Sequence, residues 1–257
     1  MRSLNHYLIL YKMNMKKIVI VIFLLTGIQA LYAYPITPRP LRKLIIESQY
    51  IIYARVIDVY AVTNQNSFTD HKAILAVEEL YQGDKLNDTI DVYFSRAMTC
   101  PMPAVYEKGT RVLAFLDRGK GKNAYQTHAL SYGSKELTLE ALTAYKLRIK
   151  EMQQIHTIND SAEKNKKIID WLVCCAIDRD TRWEGVYELS RGTGFLSYYD
   201  RGKDTLISID ALSGEQHTAL RKAAFEIKSF SYADMELIDL VEKKNDTELL
   251  QFLTDHF

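Results

Sequence analysis

With 257 residues, 47% of them hydrophobic and 25% charged, the chain is long enough to bury a substantial core, and its length suits two modest domains better than one. Its 33 basic and 32 acidic residues leave a formal net charge of +1, which gives no electrostatic footprint for nucleic acid. Three cysteines, Cys100, Cys174 and Cys175, are far too few for a disulfide-stapled scaffold.

The first 33 residues read as a cleaved leader. Lys16 and Lys17 precede an apolar run from Ile18 to Leu25, which continues through Ala30 and closes on Leu31-Tyr32-Ala33. A basic start, a short apolar centre and a small residue at the end make up the pattern a signal peptidase reads. Cleavage is expected after Ala33, with Ala30 as the alternative, and Met1, Met13 and Met15 all remain candidate starts. The run falls short of the roughly 20 apolar residues of a membrane anchor and contains Gln29. Pro35, Pro38 and Pro40 stop the segment from extending as a helix. Cleavage takes Arg2, Lys12, Lys16 and Lys17 from the 33 bases and none of the 32 acids, leaving a net charge of −3. No second apolar stretch is long enough to span a bilayer.

Residues 34–135 read as strands separated by turns. Ile51 to Val62 is rich in β-branched and aromatic residues on both parities, which suits a long strand bent between two layers of a barrel. A polar loop from Asn64 leads to a strand from His71 to Leu80, and Gly83-Asp84 turns the chain. Thr89 to Phe94 alternates cleanly, and Val112 to Leu116 and Ala124 to Leu130 complete a set of five. That spacing favours a small antiparallel barrel or sandwich.

Beyond Gly133 the period changes, and residues 136–257 read as an all-helical domain. In the stretch from Leu137 to Ile155, Leu142, Tyr145, Ile149 and Met152 recur every three to four residues. Asp160 caps the next helix, in which Ile168, Leu172 and Cys175 share a face. Thr181 and Glu184 have capping-box spacing, as do Ser213 and Gln216, while Ser231 and Asp246 or Thr247 begin the last two helices. Gly192 to Asp210 reads as an irregular loop or a hairpin.

Three short matches in the first half carry a resemblance. Tyr53-Ala54-Arg55-Val56 falls on the first strand, Val77 with Tyr81-Gln82-Gly83 on the second, and Gly109-Thr110-Arg111-Val112-Leu113-Ala114-Phe115 on a later one. Over Gln49 to Lys135 the chain resembles the OB-type barrel of the netrin-like and tissue-inhibitor-of-metalloproteinase group. The resemblance implies an α+β chain whose N-terminal five-stranded antiparallel OB-like β-barrel precedes the helices. Inhibitors of that group place an N-terminal cysteine on a protease zinc; here the expected mature terminus is Tyr34 and no cysteine precedes Cys100, so the zinc-chelating route does not carry over.

The sequence contains no paired-histidine helix motif, clustered-cysteine site or calcium loop, and no cofactor is expected. Gly119-Lys120-Gly121-Lys122 sits between two strands and reads as a hairpin turn, since a phosphate loop leads into a helix. Two readings of the cysteines stand side by side: a disulfide from Cys100 to the vicinal pair Cys174-Cys175, or three buried small residues. Cys174 and Cys175 fall late in a helix, whose negative end disfavours a reactive thiolate. Arg182 and Trp183, with Tyr198 and Tyr199, are candidates for partner binding because Trp, Tyr and Arg are enriched at binding hot spots. Against that, a tryptophan in a first helical turn commonly packs into the core, and an arginine beside it caps or pairs locally.

Together these features point to an exported protein, periplasmic or secreted, with a non-enzymatic binding or inhibitor-like role. Its barrel loops, chiefly Asn64 to Asp70 and Met98 to Val105, would contact a protein partner, with no nucleic acid and no transmembrane segment once the leader is removed. The alternatives are an enzyme whose site is dispersed between the two halves, using acids such as Glu78, Glu79, Asp178 and Asp180, and a structural envelope component.

Overall fold

The computed structural model describes residues 37–62, 69–98, 102–190, 195–208 and 211–256. The expected leader, its candidate starting methionines and Cys100 lie outside the described residues. A seven-residue helix that the sequence reading missed, α1 (Leu41–Glu47), precedes the barrel. The strands follow as β1 (Tyr50–Ala61), β2 (His71–Gln82), β3 (Thr89–Phe94), β4 (Arg111–Arg118) and β5 (Ala124–Thr127), with a short β6 (Ser134–Glu136) added at the edge of β4. They run in the order β1-β2-β3-β5-β4, and pairing of β1 with β4 closes the ring. The neighbours are antiparallel except for β3 and β5. The result is an OB-like closed five-strand barrel.

Closure requires β1 to bend, and its pairing with β2 slips register between Ile51 and Ile52, Tyr53 and Ala54, and Val56 and Asp58. Such bulges sharpen twist and let one strand serve both sides of a barrel. Gly83, at φ +107, makes the turn after β2; a Cβ there would stand 2.3 Å from the Tyr50 ring.

The continuous apolar runs of β1 and β4 arise because both faces are covered. Ile52, Ala54 and Val56 of β1 point into the barrel with Val112, Ala114 and Leu116 of β4, around the fully buried Tyr106. The alternate residues Ile51, Leu113 and Phe115 point outward into a second core, against Leu41, Leu44 and Ile45 of α1 and Tyr145, Ile149 and Met152 of the first long helix. Each such large side chain contributes about 1.5–3 kcal/mol relative to exposure, so this wall fastens the helices to the barrel.

A helical domain follows the barrel, as the sequence predicts: α2 (Leu139–His156), α3 (Ser161–Ile177), α4 (Arg182–Leu189), α5 (Gly214–Phe225), α6 (Tyr232–Val241) and α7 (Thr247–His256). Asp160 accepts from the Glu163 amide at 2.7 Å, and capping boxes form at Ser213–Gln216 and Ser231–Asp234. Asp246 accepts from the Leu249 amide at 3.1 Å and so starts α7. Gly192 to Asp210 holds a hairpin, β7 (Ser197–Asp200) with β8 (Thr205–Ser208).

Two local expectations are corrected. The last barrel strand ends at Thr127, short of Leu130, because Ala129 and Leu130 adopt left-handed backbone (φ 54 and 57) and begin a 3-10 turn. The capping box expected at Thr181 does not form: the Thr181 hydroxyl donates to the Cys175 carbonyl at 3.1 Å, and Glu184 turns away to α1. No helix among the described residues is long and apolar enough to cross a membrane.

Candidate functional site

At one end of the barrel the β1–β2 and β3–β4 connections meet on Asp70. Asp70 precedes β2, and its carboxylate pairs with His71 Nδ1 at 2.8 Å and accepts from the backbone amides of Arg96 at 2.8 Å and Ala97 at 3.0 Å. The His71 hydrogen bond first, then these amides, hold the Asp70 carboxyl well below the usual carboxylate range. The Arg96 guanidinium donates to the Tyr106 carbonyl at 3.3 Å, so the anchored turn is also tied to the barrel interior. The Tyr106 hydroxyl meets Thr127 Oγ1 at 2.6 Å, and burial pushes its phenol up to about 12.

Beside this anchor lies a notch of about 120 Å³, lined mainly by Phe94, Met98, Pro103, Ala104 and Leu130. Leu130 takes its place through the two consecutive left-handed residues Ala129 and Leu130. A non-glycine residue in that region costs on the order of 1 kcal/mol or more, and such strain concentrates at functional sites. Next to the notch, Met102 is 66% exposed and Val105 46% exposed. Of the two loops singled out in the sequence, Thr69, Asp70, Met98 and Met102 to Val105 are described; residues 64–68 and 99–101 lie outside the described residues.

The segment from Asp180 to Leu189, the most distinctive in the second half, works internally. Arg182 is buried: its Nε donates to the Ala176 carbonyl and its Nη2 to the Ile177 carbonyl, both at 3.1 Å, and its Nη1 pairs with Asp234. It therefore satisfies the last carbonyls of α3 and ties them to α6. Burial alone would raise the Asp234 carboxyl, but donors from Ser231 and Arg182 outweigh it and leave it lowered. Trp183 is half-buried, its ring 5.9 Å from Tyr132 and 5.4 Å from Tyr187, with the Lys135 ammonium 5.8 Å from its centre. The side chains of Tyr198 and Tyr199 lie outside the described residues; their backbone belongs to β7.

The sequence marks Glu184 only as a capping residue and does not mark Glu188, yet these two, one turn apart on α4, join the two halves. Glu184 is 1% exposed and accepts from the Leu41 amide at 2.6 Å, the Tyr145 hydroxyl at 2.9 Å and the Lys135 ammonium at 2.8 Å. Glu188 receives the Arg42 guanidinium, Nε at 3.0 Å and Nη2 at 2.5 Å. Burial first, then the charge of Glu184, drives the Tyr145 phenol far upward. The sequence signal was the pair of glutamates at helical spacing on a face otherwise given to Gly185 and Leu189.

Cys174 is exposed and Cys175 buried, both as free thiols, and burial raises the pKa of each. Cys100, their partner in the disulfide reading, lies outside the described residues. Of the acids considered for a dispersed catalytic site, Glu78, Glu79 and Asp178 are engaged locally, while burial and then the Asp178 charge raise the pKa of Asp180. Glu78 pairs with Arg111 at 3.1 Å, Glu79 with Lys146 at 2.5 Å, and Asp178 accepts from the Asp180 amide at 2.9 Å. Among the described residues no three or more His, Cys, Asp or Glu side chains are grouped to hold a metal ion. No family model matches the chain, and no curated protein matches it.

Proposed function

We propose that this is an exported, non-enzymatic binding protein, inhibitor-like in character, whose barrel presents its loop end to a protein partner while the helices over residues 136–257 buttress it. The leader pattern over residues 1–33 supports export to the periplasm or beyond. The observation that carries the binding reading is the apolar notch beside exposed Met102 and Val105, on a loop end stiffened by Asp70. An apolar recess with protruding apolar neighbours suits an inserted aliphatic or aromatic anchor. Kinship with the netrin-like and metalloproteinase-inhibitor barrels is part of this proposal and rests on strand order and the three sequence matches. Trp183 and the β7–β8 hairpin are proposed to extend the contact, with Arg182 fixing the helix beneath Trp183.

The test is a paired capture experiment. Native protein and the variant Met102→Asp/Val105→Asp are crosslinked in envelope and culture fractions, and captured proteins are quantified against a mock control. The proposal expects at least one protein enriched by the native chain and depleted at least tenfold by the variant, with the variant's melting temperature unchanged. Equal recovery by both, or nothing above the mock, sinks it.

A further inference from the structure

The last two helices leave an apolar seam uncovered. Along α6, Met235, Ile238 and Asp239 share one face, and Glu242 follows as the C-cap. Along α7, Leu249, Leu250 and Leu253 do the same, with Asp246 just before its first residue. These two stripes line a single groove of about 210 Å³. Its floor is apolar: Ile238 and Leu249 are buried, Met235 is 43% exposed and Leu250 65% exposed. The opposite side of α7 is already occupied, because Phe252 packs edge-on against Phe225 at 5.0 Å and Phe230 at 6.1 Å. Leu249 at the groove floor is part of the core, with Leu253 packed against it, while Leu250 and Met235 stay exposed at the rim.

Charge indicates what fits there. The charged residues lining the groove are Asp239, Glu242 and Asp246, with no base among them. Asp246 is neutralised by Arg221, whose Nη1 and Nη2 reach its oxygens at 2.5 and 2.8 Å. Asp239 and Glu242 have no ion-pair partner among the described residues. Two free carboxylates at the edge of an apolar floor attract a segment carrying leucine-like anchors on one face and lysine or arginine beside them. Met235 suits such a site because an unbranched thioether adapts to the shape of what lies on it.

We infer that the α6–α7 groove docks a basic amphipathic helix of a partner protein, with aliphatic side chains seated on Met235, Leu250 and Leu253 and cations facing Asp239 and Glu242. This surface is separate from the barrel notch, so the two readings stand or fall independently.

The test uses the full chain and a labelled leucine–lysine amphipathic peptide of about four turns, with a leucine–glutamate peptide of the same pattern as control. Fluorescence anisotropy measures binding at low and physiological salt. The inference expects saturable binding of the lysine peptide at least tenfold tighter than of the glutamate peptide. It also expects binding to weaken at least tenfold in Asp239→Lys/Glu242→Lys and, separately, in Leu250→Asp, each at an unchanged melting temperature. Equal binding of both peptides, no binding, or binding indifferent to these substitutions overturns it. A native dimer on size-exclusion chromatography that Leu250→Asp dissolves makes a second copy the occupant and also overturns it, as does binding to anionic phospholipid vesicles that Leu250→Asp abolishes. Because peptide discrimination is measured on the unsubstituted protein, the inference can fail even if a variant misfolds.

Discussion

Glu184 is the residue on which the union of barrel and helices depends most directly, and removing its carboxylate should cost far more than a surface substitution. It accepts from three donors that belong to three different elements: the Leu41 amide at the start of α1, the Tyr145 hydroxyl of α2 and the Lys135 ammonium of β6. Glu184→Ala leaves the Lys135 ammonium, 15% exposed, without its counter-charge. It also removes the acceptor that a helix N-terminus preceded by Pro40 lacks locally, since Pro40 forms no side-chain cap. Breaking a buried pair from one side costs about 3–5 kcal/mol. Glu184→Gln keeps one acceptor oxygen but loses the charge and the second acceptor, for about 1–3 kcal/mol. Urea unfolding followed by tryptophan fluorescence reports both. At a slope of about 2–3 kcal/mol per molar, the alanine variant should shift the midpoint by about 1–2.5 M. A cycle with Lys135→Met should show a coupling of about 0.5–3 kcal/mol. If Glu184→Ala falls within about 0.5 kcal/mol of the native protein, as ordinary surface changes do, or Lys135 shows no coupling to it, the linking role is refuted.

Three further outcomes follow from the same geometry. In Gly185→Ala the new Cβ would stand 2.3 Å from the Leu172 carbonyl oxygen and 2.4 Å from the Ala176 amide nitrogen, both backbone, so α3 and α4 must separate. A loss of about 1–3 kcal/mol or more, read as a melting temperature lower by about 2–4 °C per kcal/mol, is expected; an unchanged melting temperature counts against that close crossing. The Asp70 carboxyl is held below its unfolded value of about 3.9, so its contribution is fully present above that pH and is lost as pH falls through the depressed folded value. Acid titration of stability should therefore steepen below about pH 4 in the native protein and flatten there in Asp70→Asn; superimposable profiles contradict the anchoring role. Brief alkylation of the native protein should label Cys174 and spare Cys175, which should react only on unfolding. A mass short by two hydrogens with Cys174 unreactive establishes instead the bridge to Cys100.

What the sequence made legible was whatever depends on near neighbours. Strand β3 was read at its observed bounds because Ile90, Val92 and Phe94 alternate with polar partners, and α2 because Leu142, Tyr145, Ile149 and Met152 mark one face. Helix α1 escaped because seven residues after a proline carry too few turns for a period, and its N-terminal acceptor comes from Glu184, 143 positions away. The Thr181–Glu184 spacing matches a cap, but the Thr181 hydroxyl donates to the Cys175 carbonyl and tertiary donors take the Glu184 carboxylate. At the candidate site the loops themselves were visible between strands. The notch was not, because it needs Ala129 and Leu130 in a backbone region that neither residue favours.

The distribution of covered and uncovered surface on the barrel explains why its loop end is the place to look for a partner. The β1–β4 wall is closed off by Ile51, Leu113 and Phe115, which are committed to the helical core. The outer faces of β2 and β3 carry cross-strand ion pairs, Lys72 with Asp91 at 3.1 Å, and Glu78 reaches Arg111 of β4 at 3.1 Å. Those charges are already paired, and covering them costs desolvation with little returned. Ile57, Tyr60 and Leu80 are exposed along β1 and β2, but at the end carrying Met102 and Val105 exposed apolar groups adjoin the Phe94–Leu130 notch and the turn that Asp70 anchors at Arg96 and Ala97. The proposed partner would find apolar area there beside backbone that Asp70 already holds before contact.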